Sequence, residues 1–287
     1  MELVLCARRA SIGALAVGRV LPQVQRQMIG PFIFLDHMGP VTLPTPVPAD
    51  TDVRPHPHIG LATVTYLFDG EIMHRDSLGV VQPIRPGEVN WMTAGRGITH
   101  SERFDAMRAG GGKLEGMQAW VALPDADEEI EPSFVHRPAS ELPLAMRGGV
   151  TIRAIAGAPL GLVSQVVTRS PLYYAHLDFA PGSRLAIPPE QPERALYIVR
   201  GALDVAGESH PHGTLLVLTP GETVNVTADG TATVMLLGGE SVGPRHIWWN
   251  FVSSRRERIE RAGEDWRAGR MKLPPGDDRE FIPLPER

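Results

Sequence analysis

Cysteine is almost absent from this chain of 287 residues, in which Cys6 is the only one. One cysteine cannot form an internal disulfide or supply the thiolates of a structural zinc site. Blocks of like charge are also missing, since 28 Lys and Arg residues stand against 33 Asp and Glu residues for a net charge of -5. These features predict a protein of the reducing cytoplasm that makes no direct contact with nucleic acid.

Long apolar runs are missing as well. Apolar residues make up 43% of the chain and charged residues 21%, but no run approaches the ~18 consecutive apolar residues of a membrane span. A short apolar stretch after Arg8 and Arg9 is interrupted by Arg19, so we interpret it as a first strand and not as a signal peptide. We therefore expect a soluble globular protein without membrane contact.

Glycine and proline are abundant, with 30 and 27 residues, well above the usual share of about 12% for the two together. The tight turns that they favour alternate with short β-rich runs between residues 61 and 237, which predicts an all-β fold of the sandwich or barrel type. One long helix is predicted over residues 255–269, capped by Ser253 or Ser254 and ended by Gly269.

An internal repeat divides the chain into two similar halves. Two motif pairs carry it: YLFDG at 66–70 matches YIVRG at 197–201, and Gly-x7-Gly at 87–95 matches the same spacing at 213–221. The offsets are 131 and 126 residues, so the second copy is five residues shorter between its anchors. Glycines at matched turns suggest positions that need a positive φ or a close backbone approach.

A proline-rich stretch with several acidic residues separates the two copies. It is typical of an interdomain linker. The sequence therefore predicts a first domain at residues 1–130, a linker at 131–148, and a second domain at 149–287 that includes the C-terminal helix.

Two pairs of polar residues in the first copy have the spacing of metal ligands. His56 and His58 are two residues apart, as are His100 and Glu102. Residues i and i+2 of a strand point to the same face, so each pair can direct two ligands at one point. Either pair alone would most simply be incidental, but two pairs in one repeated β unit favour a metal site. Such donors suit Fe(II), Mn, Ni, Co, Cu or Zn and leave coordination positions for substrate.

The second copy lacks these ligands. The offsets of the repeat place residues without metal-binding side chains at the four matching positions, which are Ile187, Pro189, Val226 and Ala228. The triplet from His210 to His212 repeats the His-Pro-His pattern, but it falls in the turn before the second motif. We interpret that triplet as a polar surface turn.

The segments HPHIGLATVTYLFDG and PGEVNWMTAGRGITHSE resemble the pirin family of the cupin superfamily, as do GPFIFLDHMGP, HRDSLG and the C-terminal WWNFVSSRRERIERAGEDWRAGR. The resemblance implies two tandem cupin β-barrels, with one iron ion, most simply Fe(II), bound in the first by His56, His58, His100 and Glu102. Ordinary cupins take a glutamate from the first motif, at about the position of Thr63, whereas the pirin pattern takes its carboxylate from the second motif.

The resemblance also implies quercetin 2,3-dioxygenase activity, in which O2 opens the central ring of a flavonol and carbon monoxide is lost. Glu102 would then be the catalytic residue that accepts the flavonol proton. Phe32, Phe34, Met73 and Trp91 would line the pocket for a flat aromatic substrate if they face inward.

Two other functions fit the same ligands. One is a metal-dependent regulator that binds a transcription factor or another protein partner, as eukaryotic pirins are described; the other is a cupin oxygenase or isomerase with a different small substrate. The residues His74, Asp76 and Ser77 either line the pocket behind the ligands or hold a turn. His37, beside Asp36, is expected to be a structural hydrogen-bonding residue.

Overall fold

The computed structural model describes residues 1–286. Within them lie 24 strands, one α-helix, α1 (Arg256–Arg267), and short 3-10 helices at Ala49–Thr51, Asp125–Asp127, Ala139–Glu141 and Pro159–Gly161. The strands are β1 (Leu3–Cys6), β2 (Arg8–Ile12), β3 (Leu15–Leu21), β4 (Phe32–Leu43), β5 (Val53–His58), β6 (Leu61–Asp69), β7 (Ile72–Asp76), β8 (Val81–Ile84), β9 (Val89–Thr93), β10 (Ile98–Arg103), β11 (Gly112–Ala122), β12 (Ser133–Arg137), β13 (Leu144–Arg147), β14 (Val150–Gly157), β15 (Leu172–Phe179), β16 (Ser183–Ile187), β17 (Glu193–Arg200), β18 (Ala202–Val205), β19 (Glu208–Pro211), β20 (Thr214–Val217), β21 (Val224–Ala228), β22 (Ala232–Gly239), β23 (His246–Trp248) and β24 (Phe251–Ser253). No helix of this part of the chain is long and apolar enough to cross a membrane.

The predicted all-β fold of two cupin domains is confirmed. Each domain contains one four-stranded and one seven-stranded sheet. The four-stranded sheets have the orders β5-β10-β7-β8 and β16-β21-β18-β19, and the seven-stranded sheets have the orders β12-β9-β6-β11-β4-β3-β2 and β1-β20-β17-β22-β15-β14-β13. The strand pairing leaves the two sheets of each domain separate, so over residues 1–286 neither domain is a barrel closed by hydrogen bonds.

The contacts of the chain form two compact units that do not follow the order of the sequence. One unit, here called the apolar unit, comprises residues 1–9, 18–37 and 140–241, and the other, here called the histidine unit, comprises residues 10–17, 38–139 and 242–286. The predicted N-terminal first strand is divided into β1, β2 and β3, and the predicted linker contains β12, which pairs with β9. The domain limits at 130 and 149 remain a prediction.

The register of the strands supports the internal repeat. In the first copy Tyr66 pairs with Val89, and in the second Tyr197 pairs with Leu215. These partners differ by 131 and 126 residues, which are the two offsets that the motifs predict. The edge strand β1 also pairs with β20 in the second sheet as β12 pairs with β9 in the first.

The predicted C-terminal helix forms, but its N-terminal cap is not the expected one. The helix is preceded by Arg255, which makes no side-chain cap. The hydroxyl groups of Ser253 and Ser254 instead donate to the carboxylate of Glu128, which sits in the acidic stretch between the two copies. At the other end, Gly269 follows the helix with a φ of +67°, so the predicted glycine stop is present.

Candidate metal centre

Three of the four predicted ligands meet in the interior of the histidine unit. Strands β5 and β10 pair so that His56 lies opposite His100, and His58 lies opposite Ile98. All three histidines are buried, at 6%, 1% and 1% exposure. Each offers a ring nitrogen, and these nitrogens lie within 4.8 Å of one another. A single ion can therefore contact all three.

Backbone carbonyls orient two of the rings. The Nδ1 of His56 lies 2.9 Å from the carbonyl oxygen of Arg54, and the Nδ1 of His58 lies 3.1 Å from that of Asn250. A carbonyl oxygen can only accept a hydrogen bond, so in both rings Nδ1 carries the proton. This leaves the lone pair on Nε2, as metal coordination by histidine requires.

The third ring has a different neighbour. The Nδ1 of His100 lies 3.3 Å from the Nδ1 of His74, whose Nε2 lies 3.0 Å from Oδ2 of Asp76. The Nε2 of His100 is buried and has no hydrogen-bond partner among residues 1–286. A buried nitrogen without a partner is costly, and a bound cation would satisfy it. The donor set therefore fits a divalent ion such as Fe(II), Mn, Ni, Co, Cu or Zn.

Burial keeps the three rings neutral at ordinary pH. It lowers the pKa of His56 to about 4, with the Arg54 carbonyl opposing the shift. It also lowers the pKa of His58 and of His100 well below the usual range. Electrostatic repulsion by His56, if that ring were protonated, lowers both pKa values further. Neutral imidazole is the form that binds metal, so these shifts favour a ligand site.

Glu102 lies on the same strand and the same face as His100, but its carboxylate is not a member of the three-histidine group. The pairing of β10 with β5 shifts by one residue between His100 and Glu102, and Glu102 lies opposite His74 on β7. Its side chain retains some solvent exposure, yet desolvation of the carboxyl group raises its pKa to about 7. Metal ligation by Glu102 stays a prediction.

The aromatic walls of the site differ from the prediction. The ring of Trp120 meets His58 edge to face at 5.1 Å between centroids, and Phe134 stacks on His74 at 4.5 Å. Thr63 pairs with Trp120 and therefore faces the same side. This agrees with its place at the position where ordinary cupins have a glutamate. The aromatic walls beside the histidines thus come from β11 and β12 of the seven-stranded sheet.

None of the four residues expected to line the pocket belongs to these walls. The ring of Phe32 packs at 5.5 Å on Tyr174, and the guanidinium of Arg19 lies over Phe34, all in the apolar unit.

Met73 precedes His74 by one residue, so it points to the opposite face of β7. Trp91 precedes Met92, which pairs with Thr63, so Trp91 points away from the face that Thr63 and Trp120 share. An error of one position inverts a residue's face because side chains alternate along a strand.

The C-terminal tail supports the outer face of the ligand strand. Ser101 and Arg103 alternate with His100 and Glu102 along β10 and bind Asp277, with distances of 2.6 Å from Ser101 Oγ to Oδ2 and from Arg103 Nη2 to Oδ1. Motifs alone did not identify this support, because the contacts join residues 174 and 176 positions apart.

The second copy has an apolar interior where the first has ligands. Ile187, Val226 and Ala228 are fully buried in one hydrophobic cluster. The assignment of Ile187 and Pro189 to the histidine positions was wrong by two residues, since Leu185 pairs with Val226 as His56 pairs with His100. The connection to the next strand is two residues longer in the second copy, which the offsets could not reveal.

The predicted polar surface turn is confirmed for His212, which is exposed in a turn, but was wrong for His210, which is buried in β19 and pairs with Leu203 on β18. No potential metal group within residues 1–286 includes either residue. The Nδ1 of His37 lies 3.0 Å from the hydroxyl of Tyr197, which confirms its predicted structural role.

Comparisons with known proteins agree with this architecture. The family model described as Pirin matches residues 14–121, and the one described as Pirin C-terminal cupin domain matches residues 174–272. A pirin-like protein of Caulobacter vibrioides is 56% identical over the whole of both chains. The crystal structure of a quercetin 2,3-dioxygenase from Acinetobacter baumannii superposes with a TM-score of 0.92 at 34% identity, covering 99% of this chain and 95% of that one. A bacterial pirin from Escherichia coli in complex with nickel(II) shares the fold, with a TM-score of 0.64 at 17% identity over 83% of this chain and all of that one.

Proposed function

This chain belongs to the pirin family, and on that premise we propose that it is a mononuclear metal-dependent dioxygenase of the quercetin 2,3-dioxygenase type. The observation that carries the proposal is the convergence of three buried, neutral histidine rings whose Nδ1 atoms are already engaged. The quercetin 2,3-dioxygenase of Acinetobacter baumannii, whose fold matches over nearly the whole chain, supports the choice of reaction.

We infer that His56, His58, His100 and Glu102 hold one divalent ion, with Fe(II) as the first candidate. Nitrogen and carboxylate donors of this kind suit Fe(II) and its first-row neighbours. Four protein ligands on a six-coordinate ion leave two positions, which is the number that a chelating flavonol needs. When bound, the ion supplies Lewis-acid and redox chemistry.

The protein groups around the site suit a flat aromatic substrate. Trp120 and Phe134 present aromatic rings beside the histidines, and such rings bind aromatic substrates by stacking. Glu102 is the most exposed member of the proposed ligand set. Without metal, burial raises the pKa of Glu102 to about 7, but a carboxylate bound to a cation is a poor base. Glu102 would therefore have to leave the ion before it accepts the proton of a flavonol 3-hydroxyl.

The experiment is metal analysis of protein purified without oxygen, followed by oxygen uptake with a panel of flavonols. In the proposed reaction one flavonol and one O2 give one ring-opened ester and one carbon monoxide. We expect metal-dependent oxygen consumption with quercetin and release of carbon monoxide. Both should be abolished by His56→Ala or His100→Ala and retained in His210→Ala, the control from the apolar unit.

One result would reject the dioxygenase proposal and leave the metal site intact. If metal-loaded protein chelates flavonols but releases no carbon monoxide with any of them, the reaction is wrong. The regulatory alternative, in which the loaded site is recognised by a protein partner, would then be the function to test.

A further inference from the structure

Asp76 is a buried carboxylate held in one orientation. It is fully inaccessible to solvent. Its Oδ1 accepts hydrogen bonds from the backbone N–H groups of Leu78 and Val80, at 2.9 and 3.1 Å. Oδ2 faces His74, and the turn that follows is tied to β10 because the N–H of Ser77 donates to the carbonyl of Thr99. The carboxylate therefore presents one fixed acceptor to the imidazole.

The hydrogen bonds that connect Asp76 to His100 through His74 have only one arrangement of protons that leaves His100 able to bind a cation. An ionised carboxylate only accepts, so the Nε2 of His74 must donate to Asp76. The Nδ1 of a neutral His74 then carries a lone pair and accepts from the Nδ1 of His100. His100 consequently has its proton on Nδ1 and its lone pair on Nε2, the nitrogen that is buried without a partner.

His100 therefore differs from the other two histidines of the site. His56 and His58 donate to neutral backbone carbonyls, whereas His100 is connected to a negative charge through a second imidazole. Phe134 stacks on His74 with 24° between the ring planes and restricts the rotation of that ring. A carboxylate behind a ligating histidine fixes its tautomer and raises its basicity.

We propose that His74 and Asp76 form a buried relay that sets the tautomer and the donor strength of His100. Both are positioning residues, and neither contacts the ion. The proposal rests on the proposed metal site, and it assigns a role to the pair that the sequence left open between pocket and turn. Asp76 does stabilise the turn that follows it, but only through Oδ1. The hydrogen bond between Oδ2 and His74 contributes nothing to the turn and belongs to the relay.

The test compares Co(II) binding by variants of the relay, with the full chain and a competing chelator. In Asp76→Asn the amide can still accept from the turn but offers N–H to His74. His74 must then carry its proton on Nδ1, and His100 must carry its own on Nε2. We expect Co(II) affinity to fall about 10–100-fold and the visible spectrum of bound Co(II) to change. His74→Leu removes the acceptor for His100 and should lose affinity to a similar extent.

A conservative variant separates the two parts of the relay. In His74→Asn the side-chain oxygen replaces Nδ1 as the acceptor for His100, while the connection to Asp76 is lost. Co(II) affinity should recover most of the way to that of the unmodified protein. The reduction potential of bound iron, measured by anaerobic redox titration, should still rise because less negative charge supports the oxidised ion.

The matched control lies in the apolar unit. His176 and Asp178 have the same spacing, and the Nε2 of His176 lies 3.1 Å from Oδ1 of Asp178. Asp178→Asn removes a carboxylate of the same kind from a His-Asp pair outside the three-histidine group. We expect it to leave Co(II) affinity and spectrum unchanged.

The outcomes separate the relay from the site itself. If Asp76→Asn and His74→Leu bind Co(II) with unchanged affinity and spectrum while His56→Ala does not bind, the relay is wrong and the site stands. If His56→Ala also binds as the unmodified protein does, the proposed metal site is wrong. Should circular dichroism show that Asp76→Asn does not fold, the contrast between His74→Leu and His74→Asn decides, and equal loss in both would reject the relay.

Discussion

Replacement of Gly60 by alanine should weaken both the fold and the metal site. Gly60 has a φ of +67°, and a Cβ added to it would lie 2.0 Å from the carbonyl oxygen of Val252, whereas Cβ atoms essentially never come within 3.0 Å of a neighbouring heavy atom. The N–H of Val252 in turn donates to the carbonyl of Ile59. The substitution would therefore push away the C-terminal segment whose Asn250 carbonyl orients His58.

The expected loss of stability can be divided into two parts. In the folded state, a left-handed φ destabilises a residue with a Cβ by about 1–2 kcal/mol. Alanine also lowers the entropy of the unfolded chain, which offsets this loss by about 0.4–1 kcal/mol. Overpacking adds about 1–3 kcal/mol. Gly269 provides the matched control, because it has the same φ of +67° and no heavy atom of residues 1–286 within 4 Å of an added Cβ. Gly269→Ala should lose about 1 kcal/mol, and Gly60→Ala about 1–3 kcal/mol more than that.

Urea denaturation of the metal-free protein, followed by tryptophan fluorescence, measures this difference directly. All five tryptophans, which are Trp91, Trp120, Trp248, Trp249 and Trp266, belong to the histidine unit. Co(II) titration of the same variants should show affinity about 10–100-fold lower for Gly60→Ala. Equal stability of the two alanine variants would refute the close contact, and unchanged Co(II) affinity in Gly60→Ala would refute the orientation of His58 by this segment.

Four further predictions follow from the site and its support. Elemental analysis should find one metal ion per chain, and a variant with both His210 and His212 replaced should keep that ion. Two metal ions per chain, with one lost in the double variant, would contradict this prediction. At equal metal occupancy Glu102→Gln should retain binding but lose turnover disproportionately. The raised pKa of Glu102 also means that metal-free protein loses stability as pH rises from about 4.3 to about 7, and Glu102→Gln should flatten this dependence in urea titrations. Burial opposes the ionisation of Asp277, but hydrogen bonds from Arg103 and Ser101 keep its pKa below the usual value. The resulting stability is present above about pH 4 and is lost below it, so Asp277→Asn should remove part of the acid sensitivity.

Much of the candidate site was readable because its signals are local. The i, i+2 spacing of His56 and His58 specifies one face of a strand, and the structure brings these two rings together with that of His100. Glu102 has the same spacing from His100, but its carboxylate lies outside the three-histidine group. The spacing specifies the face of the strand and not the position of the carboxylate oxygens. The internal repeat was also predictable from short motifs, because its two offsets equal the differences between the paired residues of the two copies.

The aromatic walls of the site could not be predicted from the sequence, because they depend on which distant strands pair and in which register. Trp120 and Phe134 line the site because of the strands with which β11 and β12 pair, and no motif marks them. The expected lining by Met73 and Trp91 was wrong by one position each, and one position is enough to reverse a face. The connection between His74 and Asp76 was similarly undecided, since a turn and a relay require the same two residue types.

The hydrogen bond between His58 and the carbonyl of Asn250 joins residues 192 positions apart. Ribosomes add about 5–20 residues each second, so about 10–40 s separate the synthesis of this ligand from that of the group that orients it. Once His100 has been made, 42 residues after His58, all three histidines exist, but His58 still lacks the acceptor that keeps its proton on Nδ1. Metal bound by the growing chain would therefore meet a weaker site than metal bound by the finished protein, and loading at full affinity is a step that follows synthesis of the C-terminal segment.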